Sequence, residues 1–317
     1  MPYMIRKRRL GNTSLELSEL GYGCAAIGGM YRSVNRAEAT EALTAAWEAG
    51  IRYFDTAPGY GVGISERIVG DFLRDIRPDD YVLSTKVGKL LKPAKSAATG
   101  PMPFEITFDY SYDGIMRSYE FSLARLGLAR IDLLLVDDLD PQTLGLLEYR
   151  RHFPKFLDSG IKAMEELRSS GDIAAFGLGV SDVGACIDIM QRVKLDCLLI
   201  NGRYTLLDRT VGTRVLGMCR QSATPLIVGS LFNSGTLVRP TGNMDEIDFI
   251  ANRAREVAAS AGVDIASAAT QFPLRDELVT SAILGSARPS RIRAAIAGLS
   301  DTIPETVWTQ FSSSAKN

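Results

Sequence analysis

Asp55, Tyr60 and Lys86 fall at or just beyond the ends of two apolar, strand-like runs, and Asp137 and Asp138 follow a third. An ammonium is expensive to bury unless an acid pairs with it. Lys86 lies inside the run YVLSTKVG, so it needs such an acid, and Asp55 is a reasonable partner. A cation beside a phenol favours phenolate and would bring Tyr60 down from the usual tyrosine pKa of about 10, toward a range where it exchanges protons with a substrate. The same residues also read as a structural ion pair beside an ordinary loop aromatic. Asp137, Asp138 and Asp140 offer oxygens to a metal, but adjacent aspartates more often serve turns and caps, and no metal is expected. The single histidine, His152, is expected in a loop.

The positions of these residues depend on the elements that carry them. Apolar runs of strand length recur at 20–24, 52–56, 81–87, 131–136, 174–180, 197–201, 225–229 and 281–285. IDLLLV and CLLIN are apolar almost throughout, as suits parallel strands covered on both faces. Helical spacing separates them, as at Leu43, Ala46 and Trp47, and again at Ile247, Ile250, Ala251, Ala254, Val257 and Ala258. Gly50, Gly127, Gly171 and Gly262 stand where left-handed helix ends favour glycine.

Eight evenly spread units predict an α/β fold of the closed (β/α)8 barrel type, in which groups at the carboxyl ends of strands converge on one mouth. An open dinucleotide-binding sheet should show GxGxxG after its first strand, and GYGCAAIGG lacks that spacing. The Gly-Asn turn in IRKRRLGNTSLEL predicts an N-terminal hairpin closing the barrel floor. Segment 89–108 has no clear period and is expected as a loop at the mouth, and 138–154 as an irregular insertion. No linker or internal repeat divides the chain, so residues 1–317 are expected to form one domain.

With 46% apolar and 23% charged residues, the 317-residue chain can bury a sizeable core and belongs to neither the disordered nor the membrane class. A net charge of −1 gives no general attraction to nucleic acid or anionic lipid, and neither partner is expected. Cys24, Cys186, Cys197 and Cys219 are widely spaced in apolar stretches and read as reduced thiols. The amino terminus lacks an apolar region after its charges, so a cytoplasmic protein is expected.

The segment AWEAGIRYFDTAPGYG, with Ser65-Glu66 soon after and STKVG on the next strand, closely resembles the signature of the aldo-keto reductase family. The likeness continues through IDLLLV, FGLGVSD and NGRYTLLDR almost to the end of the chain. It implies an NAD(P)-dependent oxidoreductase in which Asp55, Tyr60 and Lys86 are members of the catalytic tetrad. Tyr60 would pass the proton while hydride moves to or from nicotinamide C4. By the same likeness Tyr204 would stack on the nicotinamide, and Ser181, Asp182 and Asn201 lie at the position of its carboxamide ligands. Gly229, Ser230 and Leu231 would face the pyrophosphate, and Ser286 and Arg291 the adenosine phosphate. GYGCAAIGGMY and the long insertion before FLDSGIKAMEELRSSGDIAAFGLGVSD resemble most the bacterial branch containing L-fucose (D-threo-aldose) dehydrogenase and pyridoxal 4-dehydrogenase, which oxidise cyclic hemiacetals to lactones.

Departures from the family pattern matter as much. Asp137 replaces the usual histidine, and an ionised carboxylate cannot donate a hydrogen bond to a carbonyl oxygen. Either Asp137 is protonated, or it accepts a proton during oxidation, or catalysis is weakened. The rival expectation is a nicotinamide-binding regulatory or interaction subunit. Gly285, often lysine where NADP is preferred, together with Ala294 and Ala295, points to NAD, with NADP open through Arg291. The expected partner is a small carbonyl or hemiacetal substrate, and a homo-oligomer stays open.

Overall fold

A computed structural model describes residues 3–95, 102–239 and 245–316. The strands are β1 (Lys7–Arg9), β2 (Glu16–Ser18), β3 (Leu20–Gly23), β4 (Tyr53–Asp55), β5 (Val82–Val87) and β6 (Lys89–Pro93), followed by β7 (Phe104–Phe108), β8 (Leu133–Asp137), β9 (Ala175–Val180), β10 (Cys197–Asn201), β11 (Leu226–Gly229) and β12 (Val279–Leu284). Eight of them close a parallel barrel in the order β3-β4-β5-β8-β9-β10-β11-β12. The (β/α)8 barrel expected from the alternation is the one observed, with the last strand beginning two residues early.

Side chains alternate across each strand, so every second residue enters the barrel. Leu20, Phe54, Leu134, Phe176, Leu198 and Val228 point outward and join the core beneath the surrounding helices. Tyr53, Leu133, Leu135, Ala175, Cys197, Leu199 and Ile227 point inward. Continuing that parity toward the carboxyl ends brings Asp55, Lys86, Asp137 and Asn201 into the topmost inward layer, with glycines at 23, 179 and 229 making room. The interior is therefore largely apolar below, with its charged groups at the mouth.

β1 and β2 pair antiparallel, and Leu10, Leu15 and Leu17 plug the barrel from beneath as the hairpin expectation required. The fully buried Glu19 ties this hairpin down by pairing with Arg6 and Arg8. All four cap glycines adopt positive φ, from +62° at Gly127 to +97° at Gly50.

Two expectations need correction. Segment 89–108 is not an open loop: β6 and β7 pair antiparallel from Lys89↔Phe108 to Pro93↔Phe104, and residues 96–101 of the segment lie outside the described residues. Segment 138–154 is largely helical, with helices Pro141–Leu144 and Leu146–Lys155. Asp140 caps the first by accepting the Thr143 N–H at 2.7 Å, and Pro141 stands at its start, where a missing N–H costs nothing. His152 is consequently a buried helical residue, edge-on to Tyr110 at 5.4 Å, and not a loop residue.

Candidate active site

Lys86 reaches along the barrel interior over Gly179, where an added Cβ would lie 3.6 Å from its Cε. Its Nζ donates to Asp55 Oδ1 at 2.8 Å, to Asp55 Oδ2 at 2.7 Å and to the Thr56 carbonyl at 2.9 Å. These contacts take up all three ammonium donors. Ser84 donates a further 2.7 Å bond to Asp55, whose carboxyl is raised by burial even though Lys86 and Ser84 oppose that rise. The ion pair inferred for Asp55 and Lys86 is therefore present, and both residues are buried.

Tyr60 sits on the turn after β4. Its carbonyl accepts the Ser65 N–H at 3.2 Å, and Thr56 Oγ1, Ser65 Oγ and the Cys24 carbonyl form a chain of bonds that fixes the turn's base. Gly61 has φ +63°, and a Cβ there would fall 1.9 Å from the Gly28 carbonyl oxygen. The turn can thus be made only with glycine at 61. Glu66, fully buried in the following helix, accepts from Thr85 and pairs with Arg125, locking that helix to β5 beside Lys86.

The expected lowering of the Tyr60 pKa is not found. Lys86 Nζ lies 4.9 Å from the centroid of the Tyr60 ring, but its donors are spent on Asp55 and Thr56. Burial pushes the phenol well above 10, and Asp55, Asp137 and Asp138 act in the same direction. In this state Tyr60 is a protonated phenol.

Asp137 is buried at the end of β8, beside Asp138 with φ +47°. Lys89 Nζ, on β6, bridges the two carboxylates, at 2.9 Å from Asp137 and 2.6 Å from Asp138. Lys89 was missed in the sequence because it opened what looked like a loop. Its signal was its place two residues past the Lys86 strand. Burial works to lower the Lys89 pKa, but the two carboxylates outweigh it and the net shift is upward. Asp138 is pushed up to about 6 by burial and by Asp137, against the pull of Lys89. Among the described residues no group of three potential ligands forms a metal site.

A cleft of about 980 Å³ opens from Asp55 and Tyr60 across the mouth. Asn201, Gly229, Ser230, Leu231, Ser286 and Arg291 all line it, as do Gly285, Ala294 and Ala295. Three further expected cofactor residues do not line it. Ser181 offers its carbonyl to Arg203, and Asp182 caps the helix Val183–Met190. Tyr204 is turned away: its hydroxyl donates to Asp276 at 2.8 Å, its ring packs on Phe272, and it faces a separate cavity beside Arg9 and Gly11. A largely buried phenol needs an acceptor, and Asp276 supplies it there.

Phe232, Arg239 and Arg288 were not singled out in the sequence, yet they share the cleft with Arg291. Burial and the nearby Arg288 and Arg239 lower the Arg291 pKa, so this end of the cleft concentrates positive charge. Arg288 also leads into the helix Pro289–Ala297, whose amino-terminal dipole favours an anion. A phosphate-bearing dinucleotide fits this donor set in charge and the cleft in size.

The pattern of the Aldo/keto reductase family matches residues 19–316. The chain belongs to the aldo-keto reductase family. It is 38% identical to a pyridoxal 4-dehydrogenase of Microbacterium luteolum, with 97% of this chain and 96% of that protein covered. It is 34% identical to a D-threo-aldose 1-dehydrogenase of a Pseudomonas species, covering 94% of each. In fold it is similar to an aldo-keto reductase of Bacillus halodurans, with a TM-score of 0.80, 24% identity and coverage of 98% and 97% of the two chains. This aldo-keto reductase is an NAD(P)-dependent oxidoreductase, and no described helix is long and apolar enough to cross a membrane.

Proposed function

We propose that this aldo-keto reductase oxidises a cyclic hemiacetal, of an aldose or of pyridoxal, to the lactone, with Tyr60, after releasing its own proton to solvent, taking the hydroxyl proton as phenolate. The observation that carries this is Asp137 with its Lys89 partner at the mouth: carboxylates there favour proton acceptance over donation to a carbonyl oxygen. The identities of the two bacterial relatives support the substrate class.

Asp55 and Lys86 hold a fixed charge pair beneath the Tyr60 ring, so the phenol is oriented before substrate arrives. The Gly61 turn sets its height in the mouth. Asn201 would hold the nicotinamide and the 229–231 backbone the pyrophosphate, with Ser286, Arg288 and Arg291 at the adenosine phosphate. When bound, that cofactor supplies the hydride acceptor.

NAD is the proposed cofactor, because Gly285, Ala294 and Ala295 bring no side-chain donor to the cleft's far end. The clustered arginines favour NADP as a second reading. Four free, buried cysteines accord with a reducing cytoplasm.

The test is a panel of aldoses, pyridoxal and simple alcohols, each with NAD and with NADP, following nicotinamide absorbance and lactone formation. Lactone from a hemiacetal, with NAD giving the higher kcat/KM, is the expected result. Turnover of open-chain alcohols alone would refute the hemiacetal assignment.

A further inference from the structure

Lys89 has no part in the reaction as stated above, yet it is firmly placed. Its main chain is held in register against Phe108, and its carbonyl accepts from Ser118. Its side chain runs along the turn that carries Tyr60, with Cδ 3.7 Å from where a Cβ on Gly59 would stand. Its ammonium ends on Asp137 and Asp138, with the Lys89 side chain only 12% exposed.

The charges around Tyr60 divide into two groups. Asp55, on β4, is balanced by Lys86, on β5. Asp137 and Asp138, at the end of β8, both act on Tyr60, and Lys89, on β6, is the cation that touches them. Tyr31, from the segment after β3, and Tyr53, on β4, are further titratable neighbours. Lys86 cannot also serve the second group, because its donors are committed.

We propose that Lys89 is a positioning residue of the active site, clamping Asp137 and Asp138 into one charge-compensated group so that Tyr60 faces one net negative charge there instead of two. This rests on Tyr60 being the proton-transfer group. Without the ammonium, both carboxylates oppose phenolate, and proton removal from substrate requires a higher pH. A residue needed only for folding would lower activity equally at every pH.

The experiment is the pH profile of kcat/KM for NAD-dependent oxidation of pyridoxal and an aldose panel, in the parent, Lys89→Met, Lys89→Arg, Asp138→Asn and the Lys89→Met/Asp138→Asn double variant. Lys89→Met is expected to lose about tenfold or more near neutrality, one pK unit's worth, with the gap closing as pH rises. Lys89→Arg should keep the parent profile, and the double variant should regain most of the loss. A superimposable profile, or a loss that is equal at all pH values and unrelieved by Asp138→Asn, overturns the proposal. If Lys89→Met does not fold, Asp138→Asn alone must move the ascending limb to lower pH, and an unmoved limb overturns it.

A titration of carbon-labelled aspartate by NMR needs no turnover. There Lys89→Met should carry the Asp138 midpoint above its value of about 6, and an unchanged midpoint counts against the clamp. Tyr60→Phe separates the two claims. Turnover that survives it removes the proton-transfer reading, whereas Tyr60-dependent turnover with an unmoved profile removes only the role of Lys89.

Discussion

Lys86 Nζ stands 4.9 Å from the centre of the Tyr60 ring while giving its hydrogen bonds to Asp55 and the Thr56 carbonyl. The cation thus supports the aromatic from below, and among the described residues none hydrogen-bonds the tyrosine hydroxyl. In the proposed mechanism, support of the ring and proton transfer fall to different atoms of one polar layer.

Asp55→Asn should damage the fold as well as the reaction. It leaves the buried Lys86 ammonium opposite a neutral amide, and breaking such a pair costs about 3–5 kcal/mol. A urea midpoint that stays at the parent value would show that the pair is not structural.

Gly61→Ala should act mainly on rate. A methyl group 1.9 Å from the Gly28 carbonyl oxygen forces the turn to shift, and the left-handed φ adds about 1–2 kcal/mol. We expect kcat to fall at least about tenfold in a folded protein, since displacement of a proton-transfer group by an ångström is costly. Steady-state kinetics beside a circular dichroism melt would check this, and parental kcat would contradict it.

The sequence made the barrel legible because its strands are buried on both faces and read as continuous apolar runs, IDLLLV and CLLIN among them. Asp55 and Lys86 were legible for the related reason that a lysine in such a run demands an acid. The partner of Asp137 was not. Lys89 begins a hairpin whose strands carry no clear alternation, and its contact with β8 is made across many residues of chain. The orientation of Tyr204 was hidden likewise, because Asp276, which captures its hydroxyl, lies 72 positions away. The sign of the Tyr60 shift depended on its burial and on the carboxylates gathered around it, which spacing does not state.

The pH dependence of stability should carry the mark of Asp138. Its carboxyl holds a proton up to about pH 6 in the folded state, against an ordinary value of 3.8. Between those values the folded chain binds more protons than the unfolded one, so stability falls as pH rises through the window. The cost is absent below it and complete above it. Asp138→Asn should therefore gain stability relative to the parent as pH rises from 4 to 7, by up to about 3 kcal/mol. Urea midpoints that differ by a constant amount across that range would exclude this origin.

Arg291→Ala should weaken cofactor binding more than it slows turnover. The loss of a charge-assisted contact to a phosphate is worth about 1.5–3 kcal/mol, so KM for NAD should rise about tenfold or more with kcat within about twofold. A fall in kcat at unchanged KM would move Arg291 out of the binding role.

Tyr60→Phe tests the central claim most directly, because it removes one oxygen from the mouth and leaves the ring over Lys86. Turnover should drop by about 10²–10⁴-fold while NAD binding, followed by fluorescence titration, stays at the parent level. Turnover within a few-fold of the parent would contradict the assignment of Tyr60 as the group that moves the proton.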